Sequence, residues 1–200
     1  DLGKALENIA YAVEWKRKKG LATTLGVQCL LIQENKNEIA DMAKEFKEIG
    51  VDYFTVKPYS QHTQSENHLE VDYKELLDLE RHIRPYESEY FKIYYRSNAM
   101  RKMKQDKTYD NCYGLPFMTH IDARGNVWPC INFIGKPDFL YGNLYEQTFK
   151  EIWEGERKKG VMSIFEETDI NQVCREACRL DEINRYLYQL RHPGGHVNFI

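Results

Sequence analysis

No apolar run in these 200 residues approaches the roughly 20 that a membrane-spanning helix needs, so no membrane partner is expected. No basic face stands out either. Lys and Arg total 28 against 31 Asp and Glu, interspersed, for a formal net charge of −3. That excludes the clustered positive footprint of a nucleic-acid binder. No secretory or transit signal opens the chain, which points to the cytoplasm. There is no internal repeat and no low-complexity linker. The chain does not begin with Met: Asp1 enters directly in a helical pattern, and the expectation is a fragment or a processed piece of a longer protein. With 42% hydrophobic and 30% charged residues, the composition is that of a folded chain with room for one large or two small domains.

Cysteine is scarce and unevenly placed. The 5 cysteines are Cys29, Cys112, Cys130, Cys174 and Cys178. The odd number, with no leader toward an oxidising compartment, disfavours structural disulfides. All but Cys29 fall in the second half, which raises metal binding as the first alternative.

Along the first half, Leu6, Ile9, Ala10 and Val13 mark one face of a helix over 4–19, stopped by Gly20. The apolar run 23–32 reads as a strand buried on both faces of a parallel sheet. Asn35 or Asn37 can cap the next helix, whose apolar face is Ile39, Met42, Ala43, Phe46 and Ile49, with Gly50 as its stop. Residues 51–59 form the next strand, closed by Pro58. A helix over 73–84 stopped by Pro85 and a strand over 91–96 continue the βα rhythm. The polar stretch 60–72 follows a strand's C-terminal end, where open sheets and barrels carry their chemistry.

Near residue 106 the character changes. Residues 117–122 and 127–133 read as a β-hairpin turning at Gly125, with a second turn at 141–144. A helix carries Phe149, Ile152 and Trp153 on one face, and a last helix spans 172–190 with Asp169 as its cap. Residues 1–105 and 106–200 are accordingly two domains. The hairpin brings Cys112 and Cys130 toward one site. Cys174 and Cys178 are spaced i, i+4, which on a helix sets their Cβ atoms about 5–6 Å apart on one face. Four thiolates are the usual complement of a [4Fe–4S] cluster. Zinc also takes four thiolates, though usually through tight pairs on turns. A helical i, i+4 pair can also be inert core. On spacing alone, cluster, zinc and core thiols stand about level, with disulfides last. Arg175 and Arg179 flank the second pair and can offset a cluster's negative charge.

The run Cys112-x12-Gly125-x4-Cys130, the YGNL turn followed by FKEIW, and Cys174-x3-Cys178 resemble, in order, the SPASM and twitch domains of radical S-adenosylmethionine (SAM) enzymes. The resemblance covers about 106–200. The first half, with TTLGVQCLL and VDYFTVKPYS, is similar to the later strands of the family's partial (β/α)6 barrel. The implied fold is α/β: the C-terminal portion of that barrel, then a small α+β twitch domain of hairpin and helices. A full SPASM domain has more cysteines and two clusters, so four here imply the twitch form with one auxiliary [4Fe–4S] cluster, ligated by Cys112, Cys130, Cys174 and Cys178. The family's C-x3-C-x2-C motif, which holds the SAM-cleaving cluster, is absent from this sequence. By resemblance it lies upstream of Asp1, and the chain alone is inactive.

The resemblance implies an oxidoreductase or modifying enzyme. A second [4Fe–4S] cluster reduces SAM, and the 5′-deoxyadenosyl radical takes a hydrogen atom from substrate. Flavodoxin or ferredoxin is the implied reductant. A single-cluster relative oxidises an aminocyclitol alcohol, so a sugar-like small molecule is the expected substrate. The alternatives are a peptide-modifying maturase and a zinc-stabilised, non-catalytic binding module. Gln28, a polar residue in an apolar strand, and Lys57, Tyr59 and His62, at or just after the end of the next, are the SAM or substrate pocket candidates. Against them, a strand-end Lys is usually solvated, a buried Gln usually satisfies backbone and a loop His is usually surface. Cys29, His120, His192 and His196 read as structural, and the tyrosines from Tyr86 to Tyr95 as packing.

Overall fold

Leu6, Ile9 and Val13 do lie on one face of α1 (Leu2–Lys19), packed into a core with the first sheet. The computed structural model describes residues 2–103 and 105–195. Contacts group it into two units, Asp1–Ser60 with Asn67–Met103, and Gln61–Glu66 with Lys104–Ile200. His196 lies outside the described residues.

In the first unit, β1 (Gly26–Leu31), β2 (Tyr53–Pro58) and β3 (Lys92–Tyr95) form a parallel sheet in the order β1-β2-β3. Leu30 pairs with Lys57 and Thr55 with Tyr94. The crossover from β1 to β2 runs through α2 (Ile39–Ile49), which buries Ile39, Ala43 and Phe46. It ends as expected at Gly50, whose φ of 91° is the left-handed conformation a side chain resists. Asn35 does not cap α2. Its Oδ1 accepts from the Ile32 N–H and its Nδ2 donates to the Leu30 carbonyl, closing the end of β1 instead. Glu38 stands at the N-cap without a side-chain bond.

The helix expected over 73–84 is two short ones, α3 (Tyr73–Leu76) and α4 (Leu79–Ile83), followed by a 3₁₀ turn through Pro85. The Tyr95 hydroxyl donates to the Leu76 carbonyl at 2.5 Å, and that carbonyl is the acceptor the Glu80 N–H would use in a continuous helix. Glu80 bonds Leu77 instead. Helix α5 (Ser97–Arg101) follows β3.

The expectation that β1 is buried on both faces is overturned. Leu31, Phe54, Val56, Ile93 and Tyr95 face the helices, with Val27 and Cys29 packed beside them. On the opposite face of the unit's sheet, Gln28 is exposed, Leu30 is 43% exposed and Tyr94 52%. The helices of this unit cover one side of the sheet, so the apolar run in β1 is only half used.

In the second unit, β4 (His120–Ile121) and β5 (Asn126–Trp128) form the expected hairpin. Gly125 turns it with φ 76°. Asp122 ties the turn, accepting from the Arg124 and Asn126 N–H groups, the Asn126 amide and the Trp128 indole. The strands are shorter than expected, and Cys130 lies beyond β5. The turn read at 141–144 adds a strand, β6 (Gly142–Asn143), on the open side of β5. Helix α6 (Phe149–Glu154) starts with a capping box of Thr148 and Glu151. Gly155 separates it from α7 (Glu156–Glu166). Val127, Phe133, Tyr141, Ile152, Val161 and Phe165 fill the core, each contributing about 1.5–3 kcal/mol by leaving water.

The last helix departs most from expectation. Instead of one helix over 172–190 there are α8 (Ile170–Val173), capped by Asp169, and α9 (Asp181–Arg191). The segment between them is a loop. Among the described residues no helix is long and apolar enough to cross a membrane.

Candidate metal centre

The loop between α8 and α9 carries Cys174 and Cys178, so the i, i+4 pair does not share a helix face. Cys174 ends α8 with extended backbone, φ −96° and ψ 138°, its N–H still bonded to the Ile170 carbonyl. The Cys178 carbonyl accepts from Asp181 and its Sγ from the Leu180 N–H at 3.4 Å, which ties this thiol to the start of α9. Cys112 stands in the turn before a 3₁₀ segment, its carbonyl accepting from Leu115. Cys130 is extended, and its carbonyl accepts from Phe133.

Three separate segments thus deliver four cysteines, and all four line one cavity of about 130 Å³. Leu115, His120, Asn132, Phe165, Arg175 and Arg179 complete much of its wall. All are free thiols. Burial raises the Cys174 thiol to about 12, with Cys112, Cys178 and Cys130 adding to the shift. Burial raises Cys130 to about 11, and Cys112 is raised by burial and by Cys178 despite an opposing bond from Asn184. Each thiolate opposes its neighbours, so the set can ionise together only around a cation. Burial, then Arg179, lowers the pKa of His120, and its Nε2 is buried without a hydrogen-bond partner.

A tetrahedral zinc with Zn–S near 2.3 Å draws its sulfurs to about 3.8 Å from each other. Among the described residues no three His, Cys, Asp or Glu side chains are grouped closely enough to hold a metal ion. The cavity is also several times the ~30 Å³ share of one water, far more room than one directly ligated ion requires. Four thiols spread around such a space fit a polynuclear iron–sulfur group.

Residues 112–179, which run from the first of these cysteines past the last, match a family described as an iron–sulfur cluster-binding domain. That family is SPASM, and this segment is similar to it. No curated protein matches the chain. Among solved structures it is similar to SuiB of Streptococcus suis and to the same protein bound to S-adenosylmethionine, each at 16% identity with a TM-score of 0.55. Those matches cover 90% of this chain and 46% and 45% of SuiB, so the chain spans less than half the length of the structures it resembles. At that identity the likeness is one of fold: a mixed α/β arrangement shared along most of the chain.

The other candidates are scattered. Gln28 and Lys57 lie on neighbouring strands on the uncovered face of the first sheet. Tyr59 is held by structure, its N–H donating to the Tyr73 hydroxyl and its own hydroxyl to the Asn67 carbonyl. His62 falls in the second unit, where its Nδ1 accepts from the Gln64 N–H. Cys29 is half-buried against the first core, as its neighbours implied. His192 bonds the Tyr188 carbonyl at the end of α9, away from the SPASM cavity wall. Sequence reasoning set His120 aside and did not consider Asn132 or Asn184. His120 lay in the hairpin, but its facing depends on register. Asn184 had only one signal, a polar residue at an inward position of an amphipathic helix.

Proposed function

We propose that Cys112, Cys130, Cys174 and Cys178 hold one [4Fe–4S] cluster in a twitch-type SPASM domain, and that the chain is the C-terminal part of a radical SAM enzyme. The observation that carries this reading is the convergence of the four cysteines on one multi-atom cavity within the SPASM match. Such a cluster supplies one-electron exchange when bound. The chain's own residues do the rest. The four sulfurs satisfy every iron, which leaves no open position for substrate and favours electron transfer or support over direct substrate ligation. Arg175 and Arg179 set positive charge at the cavity wall, where it offsets the negative charge of the thiolates. Leu115 and Phe165 keep the wall apolar and limit access by water.

In this reading the first unit is the C-terminal half of a partial (β/α)6 barrel. Its uncovered sheet face, with Gln28 and Lys57, then faces the barrel interior. Gln28, Lys57, Tyr59 and His62 remain the residues proposed for SAM or substrate, Tyr59 and His62 the weaker two because both are engaged locally. The proposed substrate is a sugar-like small molecule oxidised with flavodoxin or ferredoxin as electron partner. The lack of C-x3-C-x2-C in this sequence assigns SAM cleavage to residues outside it. The test is to incubate the full-length protein containing this chain anaerobically with SAM and dithionite, then measure 5′-deoxyadenosine. Accumulation above the reductant-free control is expected. None, from protein with both clusters loaded, overturns the radical-enzyme reading while leaving the SPASM cluster in place.

A further inference from the structure

Asn184 lies in the first turn of α9 and is only 2% exposed. A buried amide must find partners or cost roughly 1–3 kcal/mol. Its Oδ1 accepts from the Gly114 N–H at 2.7 Å, and its Nδ2 donates to the Cys112 Sγ at 3.7 Å. One side chain therefore clamps both the backbone and the sulfur of the turn that presents Cys112. The approach is close: a Cβ at Gly114 would stand 3.2 Å from the Asn184 Oδ1, tighter than ordinary contact. The helix itself is held in register from the same side. Arg185 bonds Asp181, Thr108 and the Asp106 carbonyl, and Tyr109 donates to Asp181. The amide is thus fixed at the sulfur by a network of five other residues rather than left to a mobile side chain.

An N–H donated to a cluster's thiolate stabilises the more negative, reduced state and so raises the reduction potential. We propose that Asn184 is a positioning residue that aims the Cys112 sulfur at the cluster and raises the cluster's potential through its Nδ2–H bond. This inference rests on the [4Fe–4S] reading above. In the redox step one electron passes from dithionite to the cluster, and no covalent bond forms or breaks.

Two variants separate the donor from its scaffold. Asn184→Asp keeps an oxygen for the Gly114 N–H but loses the amide donor. Asn184→Leu loses both and stays neutral. The anaerobically purified, full-length protein is analysed for iron and sulfide, then titrated with dithionite while the reduced clusters are followed by electron paramagnetic resonance, the signal that is missing from Cys112→Ala being the one followed. The expected result is wild-type iron content in Asn184→Asp and a potential below wild type in both variants. A fall in the Asp variant with a cluster-loaded Leu variant unchanged reports the added charge alone and overturns the inference. An unchanged potential in both, or loss of the cluster from Asn184→Asp, also overturns it. Wild-type protein that binds no iron removes the cluster reading itself, and the inference with it.

Discussion

Phe165 couples the second unit's core to the cysteine cavity, and its removal tests whether the two share one stability. The ring is 2% exposed and lies edge-on to Phe133 at 4.8 Å and to Phe139 at 5.5 Å between centroids. It also forms part of the cavity wall. Burial of such a ring is worth about 1.5–3 kcal/mol, and each aromatic pair adds about 0.5–1.5 kcal/mol. Together these give about 4 kcal/mol, inside the ~3–5 kcal/mol range of Phe→Ala changes in packed cores. Phe165→Ala therefore lowers the folding constant of this unit by about a thousandfold, whereas Phe165→Leu, which keeps much of the volume but loses both ring pairs, costs less, about 1–3 kcal/mol. Anaerobic urea unfolding followed by tryptophan fluorescence measures both. Because the ring walls the cavity, Phe165→Ala also bleaches faster in air than wild type. A loss below about 1 kcal/mol in Phe165→Ala, or an unchanged bleaching rate, refutes the coupling of core and cavity.

The hairpin and its acid dependence give two further tests. Gly125→Ala forces a side chain into the left-handed region and sets its Cβ 3.0 Å from the Tyr145 ring, so thermal unfolding should show a cost of about 1–2 kcal/mol. A Tm equal to wild type contradicts the turn geometry. Asp122 accepts from the Asn126 side chain and the Trp128 indole, which with two backbone bonds lowers its pKa to about 2. An unfolded aspartate titrates near 3.9, so its contribution is complete above about pH 4 and is lost as pH falls toward 2. Asp122→Asn should lower Tm at pH 7 and flatten the decline between pH 4 and 2; an acid limb identical to wild type contradicts the assignment.

Much of the candidate site could be proposed from the sequence because cysteines are few and their neighbours distinctive. The spacing around Gly125 depends on a turn that only a permissive residue makes easily, and the hairpin formed there. Gly50 stopped α2 for the same local reason. What the pattern concealed was non-local. The 172–190 stretch has good helical periodicity, yet the chain leaves the helix at Cys174, whose thiol joins a cavity built with residues 40 or more positions upstream. The 73–84 helix broke because Tyr95, from a later strand, took the Leu76 carbonyl. The apolar run of β1 implied two buried faces, while Leu30 and Gln28 lie on a face that the unit's own helices leave open. Asn184 is 72 positions from Cys112 and no local rule links them.

The central claim is that four cysteines hold one four-iron cluster, and metal content tests it most directly. The protein is purified anaerobically, and iron, acid-labile sulfide and zinc are determined per chain beside the visible spectrum. Since the SAM-cleaving cluster proposed for a longer protein would contribute its own iron, wild type is compared with Cys112→Ala, Cys130→Ala, Cys174→Ala and Cys178→Ala. Brown protein is expected, with a deficit of up to about four irons in each variant and any other cluster intact. A colourless protein with one zinc per chain, taking up no iron and sulfide on anaerobic reconstitution, would contradict it and make the cavity a structural metal module.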